Sequence, residues 1–187
     1  MKNILIVVDM QNDFVDGVLG SEEAVSAAGR AAVKIREFDG KIFVTLDTHS
    51  ADYLDTPEGR KLPTPHCIRL TDGWLLNGEV FGALAGKDYE TVEKDAFAST
   101  KLVEKIRGIK GEEGIKIELI GLCTDICVVS NALLLKAHFP DAEICVDADC
   151  CAGVTLKTHQ AALDTMRMCQ IDILKADGGN PASVSHK

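Results

Sequence analysis

The strongest constraint on this chain is an alternation of short apolar runs with longer segments of helical period. Residues 3–8 (NILIVV), 41–46 (KIFVTL) and 115–120 (IKIELI) read as buried strands, with shorter ones at 91–93, 143–146 and 171–174. Between them, residues 23–38, 100–107, 125–138 and 155–169 carry helical spacing, and Ser21 is placed to cap the first. Strands that are mostly continuous apolar runs need cover on both faces. The pattern therefore predicts an α/β protein, a parallel sheet between helical layers. Residues 48–88 interrupt it with a stretch rich in Gly, Pro and Asp, and a loop that long in a compact domain is usually functional or disordered. No glycine-rich phosphate turn follows the first run, where the chain reads DMQNDF, which argues against dinucleotide binding.

A length of 187 residues favours one domain, expected over 1–176 with 177–187 as a flexible tail. The net charge of −9 argues against a nucleic-acid partner, which would want a basic patch. Asp9 interrupts the first apolar run, so the start is not read as a signal peptide. No stretch approaches the roughly 20 apolar residues of a membrane span. Seven cysteines without a CxxC pair then predict reduced thiols and a cytoplasmic location.

In parallel sheets, ligands bind beyond the carboxyl ends of the strands. Asp9, then Asp47 and His49, then Lys94, then Cys123 and Cys127 follow the first four runs. Cys127 falls in the first turn of a predicted helix, with Thr124 or Asp125 as cap. Unpaired N–H groups and the helix dipole there favour a thiolate of lowered pKa and a developing oxyanion. The competing reading is a small buried hydrophobe. None of the five histidines sits obviously beside Cys127 as a base. A buried Asp9 would serve, with Lys94 stabilising the charge, unless Asp9 only forms a turn and Lys94 is solvated. At the end of the second run and in the loop, Asp47, His49, Glu58 and His66 make a hard-to-borderline donor set suited to zinc, manganese or iron, unless they are unconnected polar residues, since a DxH pair alone is common.

Four stretches, LIVVDMQNDF (5–14), VEKDAFAST (92–100), GLCTDICVVSNA (121–132) and VDADCCAGVTLKTHQAAL (146–163), occur in this order. Together they resemble the nicotinamidase and isochorismatase-like cysteine hydrolases over about residues 3–175. The resemblance implies a three-layer sandwich around a six-stranded, mostly parallel sheet. It implies catalytic roles for Asp9, Lys94 and Cys127, a cis bond at Leu122–Cys123, and an oxyanion site made of the Cys123 and Cys127 N–H groups. Asp47, His49, Glu58 and His66 resemble the nicotinamidase ligands of a divalent ion, zinc foremost. Retention of Cys127 argues against the isochorismatase branch, which needs neither that cysteine nor the metal. One departure is the stretch Leu62-Pro63-Thr64-Pro65-His66, where many nicotinamidases place a Trp ahead of the last ligand. The aromatic wall then falls to Phe14 and Phe97, with Trp74 as a further candidate. The expected activity is hydrolysis of nicotinamide to nicotinate and ammonia by a self-associating protein. The alternatives are a sister hydrolase of another small amide or carbamoyl compound, and a non-catalytic ligand-binding domain.

Overall fold

A computed structural model describes residues 1–109 and 114–174. The expected domain end at 176 and the tail at 177–187 lie outside the described residues. Strands β1 (Lys2–Val8), β2 (Lys41–Asp47), β3 (Tyr89–Lys94), β4 (Ile115–Leu122), β5 (Glu143–Ala152) and β6 (Asp172–Leu174) form one sheet in the order 3-2-1-4-5-6. Every neighbouring pair is parallel. The helices are α1 (Asn12–Val15), α2 (Glu22–Glu37), α3 (Pro57–Lys61), α4 (Gly78–Ala83), α5 (Thr100–Ile109), α6 (Val129–His138) and α7 (Leu156–Met168).

The two-residue period of β1 divides the core. Ile4, Ile6 and Val8 pack with residues of α5, α6 and α7, while Leu5 and Val7 pack with those of α2 and α4. This is the three-layer sandwich expected from the apolar runs. The buried face of α2 is almost all alanine, Ala24, Ala27, Ala28, Ala31 and Ala32, closed by Ile35, so the helix lies close on the sheet. The Ser21 side chain accepts from the Ala24 N–H at 3.0 Å, a cap contributing about 1 kcal/mol.

Three elements depart from expectation. β5 runs to Ala152, well past Val146, because its pairing with β4 jumps from Leu119–Val146 to Gly121–Cys151. The irregular DADCC segment is accommodated by that bulge, and Asp147 is ion-paired to Lys34 of α2 at 2.7 Å. The 48–88 region is not structureless, since it carries α3, α4 and two short 3₁₀ turns. The helix expected at 125–138 begins as a π-helical turn, Thr124–Val128, ahead of α6. Among the described residues, no helix is long and apolar enough to cross a membrane.

Gly121 sits beside Val8 at φ +126°, and a Cβ there would lie 2.1 Å from the Val8 carbonyl oxygen. Gly121→Ala is expected to destabilise the fold by about 3–5 kcal/mol, read as a fall in the urea midpoint. A midpoint within experimental error of wild type would contradict this packing.

Candidate active site

From β3, at one edge, the chain crosses to β4 on the far side of β1, so the carboxyl ends of β1 and β4 open a crevice. Asp9 follows β1 directly, in the left-handed region at φ +47°. For a residue with a side chain that conformation costs about 1 kcal/mol or more, and its neighbours hold it there. The Asp9 N–H donates to the carbonyl and hydroxyl oxygens of Thr45, each at 3.2 Å, and the Thr45 hydroxyl donates to Asp9 Oδ1 at 2.6 Å. Lys94 ends β3 in register with Asp47 of β2. Its Nζ lies 2.6 Å from Asp9 Oδ2 and 3.1 Å from Asp47 Oδ1, and donates to Cys127 Sγ at 3.5 Å. Asp9, Lys94 and Cys127 are all buried.

Cys127 lies in the π-helical turn, four residues after the cis Leu122–Cys123 bond. The N-cap of that turn is Cys123, and no side chain caps it. Thr124 and Asp125, expected as caps, are engaged elsewhere. The Thr124 hydroxyl bonds His159 Nδ1 at 2.8 Å, and the Asp125 carboxylate accepts from the Val154 N–H at 3.1 Å. The expected depression of the thiol pKa is also overturned. Burial pushes the Cys127 thiol well above its ordinary range, and the negative charge of Asp9 pushes it further, against the pull of Lys94. The dipole argument counted the helix end and omitted the dry, carboxylate-bearing surroundings. Burial also raises Asp9 above the usual carboxylate value despite Lys94. Lys94 stays firmly protonated: burial would lower its pKa, but Asp9, Cys127 and Asp47 more than offset this.

On the other side of Lys94, Asp47, His49 and His66 bring one donor atom each within 4.8 Å of one another. His49 Nε2 is 3.0 Å from Asp47 Oδ2, yet it is a buried atom without a hydrogen-bond partner. Two donor atoms side by side and not aimed at each other suit a shared cation. His66 donates from Nδ1 to the Thr64 carbonyl at 2.9 Å, which leaves Nε2 as a lone-pair donor 3.6 Å from Asp47 Oδ2. Burial would raise the Asp47 carboxyl, but the two imidazoles and Lys94 hold it well below the usual range. The three residues thus form a compact cluster able to coordinate a metal ion. Glu58, in α3, stands at the rim, its Oε1 3.9 Å from both His49 Nε2 and His66 Nε2.

Of the expected aromatics, Phe14 is buried with its ring centroid 5.4 Å from that of His66. Phe97 is 46 % exposed, and Trp74 donates its indole N–H to the Thr48 hydroxyl at 2.9 Å. Sequence reasoning missed Tyr53, whose ring packs 4.7 Å from His49 and 5.0 Å from His66. It also missed Gln11, whose side-chain amide grips the Asp47 backbone, accepting from its N–H at 2.7 Å and donating to its carbonyl at 2.9 Å. Thr45, a polar residue within an apolar run, was a readable signal; Tyr53, in the loop, was not.

The chain matches the family described as Isochorismatase domain over residues 3–177. It is 32 % identical over 176 residues to an uncharacterized isochorismatase family protein, PncA, of Bacillus subtilis (strain 168), covering 87 % of this chain and 93 % of that one. Its fold is similar to that of nicotinamidase/pyrazinamidase PncA from Bacillus subtilis, with a TM-score of 0.82 and 26 % identity over 92 % of this chain and 99 % of that structure. Pyrazinamidase of Pyrococcus horikoshii, solved in complex with zinc, gives a TM-score of 0.77 and 26 % identity over 94 % and 99 %.

Proposed function

This chain belongs to the isochorismatase family, and within it we propose a cysteine-dependent amidohydrolase that converts nicotinamide and water to nicotinate and ammonia. The observation that carries this reading is the junction at Lys94. One ammonium group contacts Cys127 and Asp9 on one side and Asp47 of the metal-competent cluster on the other. Nucleophile and ring-orienting site are thereby held in one crevice. The solved relatives described as nicotinamidase or pyrazinamidase support the substrate class.

Asp9, a stronger base for being buried, takes the thiol proton as Cys127 sulfur attacks the carboxamide carbon. Lys94 stabilises the charged pair. The N–H groups of Cys123 and Cys127 receive the oxyanion. Asp9 returns the proton to the departing nitrogen, the C–N bond breaks, and ammonia leaves a thioester on Cys127. Water, deprotonated by Asp9, then cleaves the thioester to carboxylic acid and thiol. A divalent ion, zinc foremost with manganese or iron as alternatives, would be held by Asp47, His49 and His66 with Glu58 at the rim, and would offer the pyridine nitrogen a coordination position. Phe14 and Phe97 flank the ring. The reading includes self-association and a cytoplasmic location.

A second reading, hydrolysis of another small amide or carbamoyl compound, is favoured by Leu62-Pro63-Thr64-Pro65, which brings no aromatic side chain to the approach to His66. Ammonia release from nicotinamide and from a panel of small amides, with and without chelator, separates the two. Chelator-sensitive release from nicotinamide is the expected result. Release only from aliphatic or carbamoyl substrates transfers the chemistry to the second reading, and no release from any amide overturns both. His49→Ala is expected to strip the metal recovered with the purified protein, measured by elemental analysis, and to cut turnover at least about 100-fold. Full metal content in that variant would remove His49 from the ligand set.

A further inference from the structure

Asn131 is a fully buried polar residue on α6, one turn beyond Cys127, and neither the acid–base chemistry nor the metal cluster uses it. Its amide is committed in three directions. Nδ2 donates to the Cys127 carbonyl at 2.8 Å and to the Phe97 carbonyl at 3.0 Å, while Oδ1 accepts from the Ser99 N–H at 3.0 Å. Both amide hydrogens and one lone pair are thus matched. Ser99 in turn caps α5, its hydroxyl accepting from the Leu102 N–H at 3.2 Å. The segment leaving Lys94 is therefore pinned at two points to the helix that carries the nucleophile. A leucine at 131 would fill similar space but leave these buried backbone groups short of partners.

The consequence falls on Phe97. Its backbone is held by Asn131, yet the residue is 46 % exposed. A large aromatic kept partly in water on a pinned backbone, three residues from Lys94, would gain burial energy if a ligand covered it. We propose that Asn131 is a positioning residue that fixes Phe97 relative to Cys127 and so sets the preference of the site for ring-bearing amides. This rests on the amidohydrolase reading above and adds a determinant of its substrate class.

Asn131→Thr separates the two halves of the contact. A threonine on a helix donates back to the carbonyl four residues earlier, here Cys127, and is too short to bridge to the 97–99 segment. Asn131→Ser keeps the same logic should the threonine variant fold poorly, as read by its thermal midpoint. The experiment compares wild type, Asn131→Thr, Phe97→Ala and the double variant in kcat and KM for nicotinamide. It also compares the rate of Cys127 alkylation by iodoacetamide with that by its N-benzyl derivative. Asn131→Thr is expected to raise KM about tenfold, the size of one lost aromatic contact, with kcat within about threefold. It should slow the benzyl reagent and leave iodoacetamide unchanged. In the Phe97→Ala background it should add nothing further. Additive effects, or a parallel fall in kcat and in iodoacetamide reactivity, would overturn the proposal by placing Asn131 on the nucleophile or the fold. If wild type releases no ammonia from nicotinamide, the substrate reading fails by itself. The ratio of the two alkylation rates across the same four proteins then decides the role of Asn131.

Discussion

Replacing Cys127 with alanine is expected to lower kcat by at least about 10⁴-fold, some 5 kcal/mol of transition-state stabilisation, and to leave metal content at the wild-type level. The size follows from the geometry. Cys127 is the thiol that meets Lys94 Nζ, which in turn meets the Asp9 carboxylate, and alanine leaves those two groups paired with nothing to acylate. The fold should survive. The change removes one sulfur from a well-packed site, at about 1 kcal/mol, and touches none of Asp47, His49 or His66. The matched control is Cys123→Ala. If Cys123 contributes only its backbone N–H, that variant keeps kcat within about threefold. Turnover persisting in Cys127→Ala would move the nucleophile elsewhere. Loss of metal together with activity would mean that the substitution had disturbed the fold and left the chemistry untested.

What the sequence disclosed divides along a physical line. Features set by local pattern were legible. β1 and β2 showed as continuous apolar runs, α2 through its cap at Ser21, and the strand-end positions of Asp9, Asp47, Lys94 and Cys127 through the rule for parallel sheets. Features set by distant partners were not. The DADCC part of β5 carries aspartates that look wrong for a strand, and there Asp147 is ion-paired to Lys34, arriving from α2, and accepts from the Asp149 N–H. Tyr53 reads as a loop residue in ADYLD until the fold lays it against two histidines. The thiol of Cys127 misled in the same way. Its place near a helix start is local information and argues for a thiolate. Its burial, and the carboxylate brought from the end of β1, are tertiary facts and argue more strongly for a thiol. Glu58 lies between these cases. The sequence placed it in the ligand set, and the structure sets it 3.9 Å from each histidine, outside the tight group of three.

That reversal yields the second large effect. Asp9→Asn is expected to make Cys127 more reactive and the enzyme far less active. The sign follows from the charges around the sulfur. In wild type, burial and the Asp9 carboxylate both hold the proton on Cys127, and Lys94 opposes them. Below its pKa a thiol gains about tenfold in thiolate per pH unit, so alkylation by iodoacetamide should be slow at neutral pH and climb steadily through the alkaline range. Removing the Asp9 charge keeps the burial and leaves Lys94 opposite the sulfur, which lowers the pKa. Alkylation at pH 7 should then accelerate at least tenfold, with its pH profile displaced toward acid. Lys94 is not stranded, because Asp47 remains 3.1 Å away. Turnover moves the other way. Asparagine can neither accept the thiol proton nor return it to the leaving nitrogen, a loss of about 10²–10⁴ in kcat. More thiolate with less catalysis is the signature of a general base. If Asp9→Asn instead slowed alkylation and turnover together, Asp9 would be serving to hold Lys94 in place beside the sulfur, and the proton path would have to run through another group.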